Sequence, residues 1–284
     1  MTLDELNRHI ITSLTPSLGA GEAKATARLM LEDVLKVSPE KLVMTGDREL
    51  IPETVQMFDR YLARIIAGEP PQYVIGTARF MGMDLKVTPA VLIPRPETAE
   101  LVDIITDREG GHTDLNVIDI GTGSGCIAIA LARALRFPHI EAIDISDAAL
   151  AVARENARSL MADIDFRHLD ILAPAHKAFD PYNVIVSNPP YIAQSEKSSM
   201  EARVKDHEPA SALFVPDSDP LEFYKAIADF ATENLAPDGT LYLEINPLFA
   251  AQLARMLSNK GFTCEIRLDS AGKKRFAIAT RDKQ

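Results

Sequence analysis

The sequence predicts an α/β fold: a doubly wound, mostly parallel, Rossmann-like sheet of seven strands, preceded by a small helical bundle and a β-hairpin linker. Three observations lead to this prediction. The N-terminal part has the apolar periodicity of helices, and the chain after Pro96 alternates short apolar strands with helical segments. The last two strand-like segments are separated only by turn residues, so they must pair antiparallel.

Residues 1–72 are expected to form the helical bundle. Apolar residues recur there at three- and four-residue spacing, with acidic residues near the segment starts, in 3–14, 21–37 and 52–68. Neither a glycine-rich phosphate loop nor a catalytic group of residues occurs in this part of the sequence. We therefore expect this domain to serve recognition and not chemistry.

Residues 73–95 are expected to form an ordered linker, because their short alternating runs are broken by Pro and Gly in the pattern of a β-hairpin. Residues 96–284 then form the large domain. Its strands are predicted at 115–120, 140–145, 164–169, 182–187 and 240–245, with the antiparallel pair within 262–270 and 273–280. Its clearest helices are predicted at 126–135, 147–161 and 219–235.

Composition excludes several classes of protein. The chain has 284 residues, of which 46% are apolar and 25% are charged, as in globular proteins with one large and one smaller domain. No apolar stretch is long enough to cross a bilayer, and the N-terminus lacks the features of a signal peptide, so we expect a cytoplasmic protein. The net charge of −11 disfavours nucleic acid as a partner, because phosphates are bound mainly by Lys and Arg.

No metal site or disulfide is expected. Two cysteines, Cys126 and Cys264, cannot build a disulfide framework, and we expect both to be buried free thiols. No cysteine or histidine pair has metal-ligand spacing. The histidines form no ligand pattern either: they are His9, His112, His139, His168, His176 and His207.

A strand, a glycine loop and a helix start follow one another in "VIDIGTGSGCIAIA", residues 117–130. The loop residues are Gly121, Thr122, Gly123, Ser124 and Gly125. Glycines let a ligand approach the backbone, and the free N–H groups at a helix start attract a carboxylate or phosphate. The spacing Gly-x-Gly-x-Gly is neither a Walker loop nor the standard dinucleotide fingerprint. Taken alone, the loop also fits a tight turn packed by small residues.

Two acidic residues follow the next two strands. Asp144, in "EAIDIS", comes after the loop at about the interval at which an acid meets ribose hydroxyls in nucleotide-binding folds. Capping of the following helix is assigned instead to Ser146 and Asp147. Asp170, in "HLDIL", is placed to reach an adenine amine with Ile171 packed on the ring, although a solvated strand-end acid is an open alternative.

The fourth strand ends in "SNPPY", which adds Asn188, Pro189, Pro190 and Tyr191 to the site. The ends of neighbouring parallel strands meet where the strand order reverses, so this segment should lie next to the glycine loop. Proline holds the preceding residue extended and offers no N–H to pair nearby carbonyls. The Asn188 side-chain oxygen and the Pro189 carbonyl are therefore expected to grip a planar –NH₂ group, with the Tyr191 ring against its face.

An amide or aromatic amine is a poor nucleophile because its lone pair is delocalised. Acceptors for both of its N–H bonds, together with an in-line donor carbon, supply orientation and electrostatic stabilisation. Directly after it accepts the methyl group, such a nitrogen is positively charged and strongly acidic. It loses its extra proton readily, so a strong general base is not required. The strand-end segment thus predicts transfer of a group to a planar nitrogen.

These motifs, together with "EPPQYVIG" and "LIPRPETAELVD" at the two ends of the linker, resemble the peptide chain release factor glutamine methyltransferase family (HemK/PrmC) over nearly the whole chain. The resemblance implies a class I methyltransferase that uses S-adenosylmethionine to methylate the glutamine side-chain amide in the Gly-Gly-Gln motif of class I release factors. It implies that Gly121 to Gly125 and Asp144 bind the cofactor, that Ile171 lines the adenine and that Asn188 to Tyr191 hold the glutamine. Asn188 is assigned to both the cofactor and the glutamine. We expect a monomer without membrane or direct nucleic-acid partners.

Other functions remain open at this point. A sister enzyme that methylates a glutamine of a large-subunit ribosomal protein has the same loop and strand end, and an adenine methyltransferase of nucleic acid has a related one. A non-catalytic scaffold is a further alternative, although an intact Asn188 to Tyr191 segment argues against it. Arg95, Glu97 and Glu100 belong to the resembling stretch "LIPRPETAELVD", but their spacing also fits a helix start with Pro96 at its first position.

Overall fold

The computed structural model describes residues 1–173 and 181–281, and the described chain forms two compact units. The first unit comprises Met1–Thr77 and Glu201–His207, and the second holds the rest of the described chain. Residue His176 of the histidine set lies outside the described residues. No helix in the described ranges has the length and apolar character needed to cross a membrane.

The first unit is helical, as the sequence predicts. Its helices are α1 Leu3–Leu35, α2 Pro39–Thr45, α3 Pro52–Ile66, α4 Pro71–Ile75 and a later segment, Ala202–His207. Thr2 and Glu5 form a capping box at the start of α1. The two segments predicted at 3–14 and 21–37 are one long element with a break at Gly19, whose φ of 76° is not helical.

A hairpin opens the second unit. Strands β1 Thr77–Phe80 and β2 Met83–Lys86 pair across a turn at Met81 and Gly82, whose φ angles of 47° and 73° suit a tight hairpin. The hairpin predicted within residues 73–95 is therefore confirmed. Phe80, Met83 and Leu85 of these strands are buried in the core of the second unit.

The second unit is built on a seven-stranded sheet. Its strands are β3 Asn116–Ile120, β4 His139–Asp144, β5 Asp165–His168, β6 Tyr182–Ser187, β9 Leu235–Glu244, β10 Phe262–Leu268 and β11 Lys274–Arg281. The order across the sheet is β10-β11-β9-β6-β3-β4-β5, in which only β11 pairs antiparallel with its neighbours. The predicted fold class and the antiparallel closing pair are confirmed, and each predicted strand is present.

Helices cover both faces of this sheet. They are α5 Pro96–Glu109, α6 Cys126–Ala134, α7 Asp147–Ser159, α9 Glu222–Asn234 and α10 Ala250–Asn259. The label α8 is given to the helix Ala202–His207 of the first unit. Side chains alternate along each central strand, so that Val184 and Val186 face α5 and α6 while Ile185 faces α9. Burial on both faces is why these strands are continuous apolar runs in the sequence.

Short elements connect β6 to α9. Two residue pairs form the small strands β7 Ile192–Ala193 and β8 Phe214–Val215, and short 3₁₀ helices occupy Gln194–Ser199 and Ala210–Ala212. A further turn, Pro247–Phe249, precedes α10. The Asn246 side-chain amide donates hydrogen bonds to the Tyr191 carbonyl and to Glu196, which fixes the chain that follows β6.

Candidate active site

The candidate site lies at the carboxyl ends of β3 and β6. The chain runs from β3 to β4 and β5 in one direction and then crosses back to β6 on the other side of β3. This reversal leaves a crevice between neighbouring strand ends, where open α/β sheets bind ligands. A cavity of about 380 Å³ lies there, which is within the usual range of small-molecule sites.

The glycine loop forms one wall of the cavity. The backbone N–H groups of Gly121 and Thr122 both donate to the Ile143 carbonyl, at 2.9 and 3.0 Å, which turns the chain away from β3. The φ angles of Gly121 and Gly123 are 74° and 55°, and a Cβ at either position would meet no atom within 4 Å. Backbone conformation therefore requires these glycines, and the space beside them stays open to a ligand.

Gly125 has a different environment from the other two loop glycines. It does not line the cavity, and a Cβ there would lie 3.1 Å from Ile129 Cδ1 and 3.3 Å from Ala153 Cβ. Its lack of a side chain lets α6 pack closely against α7. The neighbouring Ser124 is buried and lines the cavity, and its carbonyl accepts a hydrogen bond from Asn156 at 2.9 Å.

Asp119 lies on β3 and holds the loop through hydrogen bonds, and it is not among the predicted site residues. Its Oδ2 accepts hydrogen bonds from the Thr122 hydroxyl at 2.6 Å and the Ala128 N–H at 3.2 Å. Burial raises the pKa of Asp119 to about 7, with a smaller contribution from the nearby Asp144 charge. The available signal was an acidic residue in the middle of the apolar strand "VIDI".

Asp144 lies at the end of β4, beside the loop. Its Oδ2 accepts the Gly123 N–H at 2.9 Å and its Oδ1 accepts the Ser146 N–H at 2.9 Å. Each oxygen of a carboxylate can accept a second hydrogen bond, so acceptor capacity toward the cavity remains. Ser146 caps α7 through a bond from the Ala149 N–H, as the sequence analysis expected.

Asp170 and Ile171 also line the cavity, after β5. The Asp170 Oδ1 accepts the Leu172 N–H at 2.9 Å, and Ile171 is buried in the same apolar cluster as Ile143. Two carboxylates beside an apolar surface suit a ligand that carries hydroxyl or amine donors and a flat ring. The structure thus brings Gly121 to Ser124, Asp144, Asp170 and Ile171 to one cavity, whereas Gly125 of the predicted loop lies outside its lining.

Asn188 faces this cavity from the end of β6, together with Pro189 and Pro190. The Ser187 hydroxyl donates to the Ile120 carbonyl at 2.6 Å and joins the end of β6 to the end of β3. Asn188 makes one side-chain hydrogen bond to described residues, from its Nδ2 to the Thr98 Oγ1 at 3.1 Å. Its Oδ1 is left to accept a hydrogen bond from a ligand.

Tyr191 is the one member of the "SNPPY" segment that does not line the cavity. Its hydroxyl donates to Glu244 Oε1 at 3.0 Å. Its ring packs against the apolar cluster on the face of the sheet that α9 covers. Burial, and then the nearby Glu244 charge, raises the pKa of Tyr191 well above its usual value, so this hydroxyl stays protonated. The expectation that the ring stacks on a bound amide is not matched by this placement.

The three charged residues around the start of α5, which are Arg95, Glu97 and Glu100, occupy different places. Arg95 lines the cavity and pairs with the buried Glu208, which also accepts the Ile93 N–H at 3.2 Å. Pro96 begins α5, as the spacing predicted. Glu97 is outside the cavity lining, and Glu100 accepts both the N–H and the hydroxyl of Ser270 in the β10–β11 turn.

Cysteines and metal-ligand groups add no further chemistry among the described residues. Cys126 is a buried free thiol, as expected, but Cys264 is only half-buried and that expectation is wrong. Cys264 lies on β10, an edge strand of the sheet, and Phe262 is the only fully buried residue of that strand. No group of three or more His, Cys, Asp or Glu side chains suited to a metal ion occurs in the described ranges.

Comparison with known proteins places these features in a family. Residues 98–206 match the model of the methyltransferase small domain, and residues 9–76 match the PrmC N-terminal domain. A methyltransferase structure from Pyrococcus furiosus is 16% identical, with a TM-score of 0.53 over 80% of this chain and 100% of that chain, and supports the fold alone.

Two curated relatives resemble the chain over most of its length. The release factor glutamine methyltransferase of Bacteroides thetaiotaomicron is 41% identical over 98% of this chain and 100% of its own. The protein of the same name from Flavobacterium psychrophilum is 35% identical over 92% of this chain and 93% of its own. The chain therefore belongs to the release factor glutamine methyltransferase family.

Proposed function

We propose that this enzyme transfers a methyl group from S-adenosylmethionine to the side-chain amide nitrogen of the Gly-Gly-Gln glutamine in class I peptide chain release factors. One observation carries the proposal. The glycine loop with Asp144 and the end of β6 with Asn188 line the same cavity, so a nucleoside site and an amide site share one space. Family membership supports glutamine as the acceptor.

The residues fit the cofactor. We assign the ribose hydroxyls to Asp144, whose carboxylate is fixed by Gly123 and Ser146, and the adenine to the surface made by Asp170 and Ile171. The open space beside Gly121 and Gly123 takes the remainder of the molecule. When bound, S-adenosylmethionine supplies an electrophilic methyl carbon next to a positively charged sulfur.

Asn188 and Pro189 are assigned to the substrate amide. The Asn188 Oδ1 accepts one N–H of the glutamine –NH₂ group and the Pro189 carbonyl accepts the other. Two acceptors hold the amide plane in a fixed orientation. They would also favour the positive charge that develops on nitrogen as the nitrogen–carbon bond forms and the carbon–sulfur bond breaks, with its electron pair left on a neutral thioether sulfur. The methylated nitrogen then loses one proton to solvent, because an amide with four substituents is a strong acid.

We assign recognition of the release factor to the helical unit, residues 1–72 of the sequence-based domain division, and expect a monomer that acts in the cytoplasm. The unit contains no catalytic group, and α2 exposes the apolar side chains of Val43 and Met44. An exposed apolar pair of this kind is suited to contact another protein. The same arrangement argues for a folded protein as substrate in place of a free amino acid.

The test is direct. Purified release factor is incubated with the enzyme and S-adenosylmethionine, and peptides are analysed by mass spectrometry. We expect a mass gain of one methyl group on the glutamine of Gly-Gly-Gln, and none in a release factor whose glutamine is replaced by alanine. A parallel reaction contains large-subunit ribosomal proteins in place of release factor. Methylation in that reaction alone would favour the sister activity, and no methylation in either reaction would refute the proposal.

A further inference from the structure

A chain of hydrogen bonds runs behind Asn188, away from the cavity. The Asn188 Nδ2 donates to the Thr98 Oγ1 at 3.1 Å, and the Thr98 hydroxyl donates to Glu244 Oε2 at 2.7 Å. The other carboxylate oxygen of Glu244 accepts the Tyr191 hydroxyl at 3.0 Å. These contacts connect the first turn of α5, the end of β9 and the segment that follows β6.

The direction of each bond follows from the chemistry of the groups. The Thr98 hydroxyl donates its single hydrogen to Glu244 Oε2, which is the direction that an ionised carboxylate requires because it only accepts hydrogen bonds. The Thr98 oxygen then has only lone pairs to offer to Asn188. The Asn188 amide must therefore present its –NH₂ end to Thr98, which leaves its oxygen toward the cavity.

This direction matters because the two ends of an Asn amide have nearly the same shape. If the amide turned over, its –NH₂ group would meet the –NH₂ group of the substrate glutamine, and two donors would oppose each other. Packing alone discriminates poorly between the two orientations. A polar neighbour with a fixed direction is needed.

The network is buried enough to hold its direction. Thr98 and Glu244 are each only 2% exposed, so water cannot readily replace either partner. Burial raises the pKa of Glu244 overall, and the hydrogen bonds from Thr98 and Tyr191 and the guanidinium of Arg275 oppose that rise. Each of these three groups therefore favours the accepting, ionised form of the carboxylate.

We propose that Glu244 and Thr98 are positioning residues that fix the Asn188 amide with its oxygen toward the substrate. In this way they select an –NH₂ group as the group that accepts the methyl. The inference rests on the proposed function for its catalytic consequence. It also gives Tyr191 a role as the second donor to Glu244. The orientation of the Asn188 side chain is a property of the free enzyme and is measurable without substrate.

The first measurement is single-turnover methyl transfer to release factor at saturating S-adenosylmethionine. Thr98→Val removes the hydroxyl at constant shape and should lower the rate on the order of 10-fold, as for one misdirected hydrogen bond. Thr98→Ser restores the hydroxyl and should recover most of that loss. In Glu244→Gln, the new –NH₂ group faces one of the two hydroxyls, of Thr98 or Tyr191, that donate to Glu244 in the wild type. This variant should lower the rate in the same way. It serves as a second test if Thr98→Val folds poorly.

A double-mutant cycle separates positioning from structural support. In an Asn188→Ala background there is no amide to orient, so adding Thr98→Val should change the rate by less than about 2-fold. If Thr98→Val slowed the Asn188→Ala enzyme as much as it slows the wild type, its effect would not pass through Asn188. Wild-type rates in both Thr98→Val and Glu244→Gln would also overturn the inference.

NMR of the free protein tests the orientation independently of methyl transfer. The side-chain –NH₂ signal of Asn188, assigned by its loss in Asn188→Ala, should exchange slowly with solvent in the wild type and faster in Thr98→Val. Rapid exchange in the wild type would contradict the inference. A slow, Thr98-dependent signal in an enzyme that does not methylate release factor would refute the proposed function and leave the positioning network standing.

Discussion

The Asp144 carboxylate accepts the Gly123 N–H at 2.9 Å and so joins the ends of two neighbouring strands, β3 and β4. Its other oxygen accepts the N–H of Ser146, which begins the cap of α7. One side chain thereby shapes the glycine loop and retains acceptor capacity toward the cavity. The loop and the proposed ribose contact are thus parts of one structure.

Replacing Asp144 by Ala should weaken S-adenosylmethionine binding by roughly 1.5–3 kcal/mol, or about 10- to 150-fold in Kd, if two charge-assisted hydrogen bonds are lost. Isothermal titration calorimetry measures the change. Asp147→Ala is the matched control, because Asp147 is an exposed acid three residues later on the same segment and lies outside the cavity lining. Equal affinity in wild type and Asp144→Ala would remove Asp144 from the site.

Asp119 makes the stability of the free enzyme depend on pH. In the folded state the pKa of Asp119 is about 7, above the value of 3.8 for an unperturbed Asp. Between these two pH values the carboxyl keeps its proton in the folded state and releases it in the unfolded state. The contribution of Asp119 to stability is therefore complete below about pH 4 and is lost as the pH rises through about 7.

Asp119→Asn replaces the titrating carboxyl group with a neutral amide. Its free energy of unfolding should improve relative to wild type between pH 5 and pH 7, by up to roughly 1.4 kcal/mol per pH unit. Chemical denaturation at several pH values, without cofactor, measures the difference. A difference between the two proteins that stays constant from pH 5 to pH 8 would show that Asp119 does not titrate in this range.

Two exposed residues test the assigned role of the helical unit. Val43 and Met44 on α2 are 88% and 80% exposed, so replacing both with Ser should change stability by less than about 0.5 kcal/mol. We expect methylation of intact release factor to fall while methylation of a short Gly-Gly-Gln peptide stays the same. Met161→Ser is the control, because Met161 is 93% exposed on the other unit. Equal losses on both substrates would contradict a recognition role for this pair.

Local patterns predicted most of the fold. Central strands such as Tyr182–Ser187 are apolar runs ended by Pro or Gly, and helices such as α5 begin with Pro at the first position. These features depend on neighbours in sequence. The break at Gly19 was also visible, because glycine separates the two predicted helical segments.

Contacts between distant residues were not predictable in the same way. Thr98 and Glu244 are separated by 146 positions, and only the sheet order brings them together behind Asn188. Tyr191 is a related case, since its chemistry suggested stacking on the substrate while its position directs the hydroxyl to Glu244. An acid in the apolar strand that ends at Glu244 was the available signal, but it does not reveal its partner.

Asn188→Ala tests the central claim most directly, by single-turnover methyl transfer to a release factor at saturating S-adenosylmethionine. Loss of one preorganised acceptor should lower the rate on the order of 10²–10³, with much less change in cofactor affinity. Asn188→Asp should keep part of the activity, because its carboxylate still offers an acceptor. The account predicts a slow Asn188→Ala enzyme and no methyl on a release factor that lacks the Gly-Gly-Gln glutamine, and full-rate transfer by Asn188→Ala or methylation of that control would contradict it.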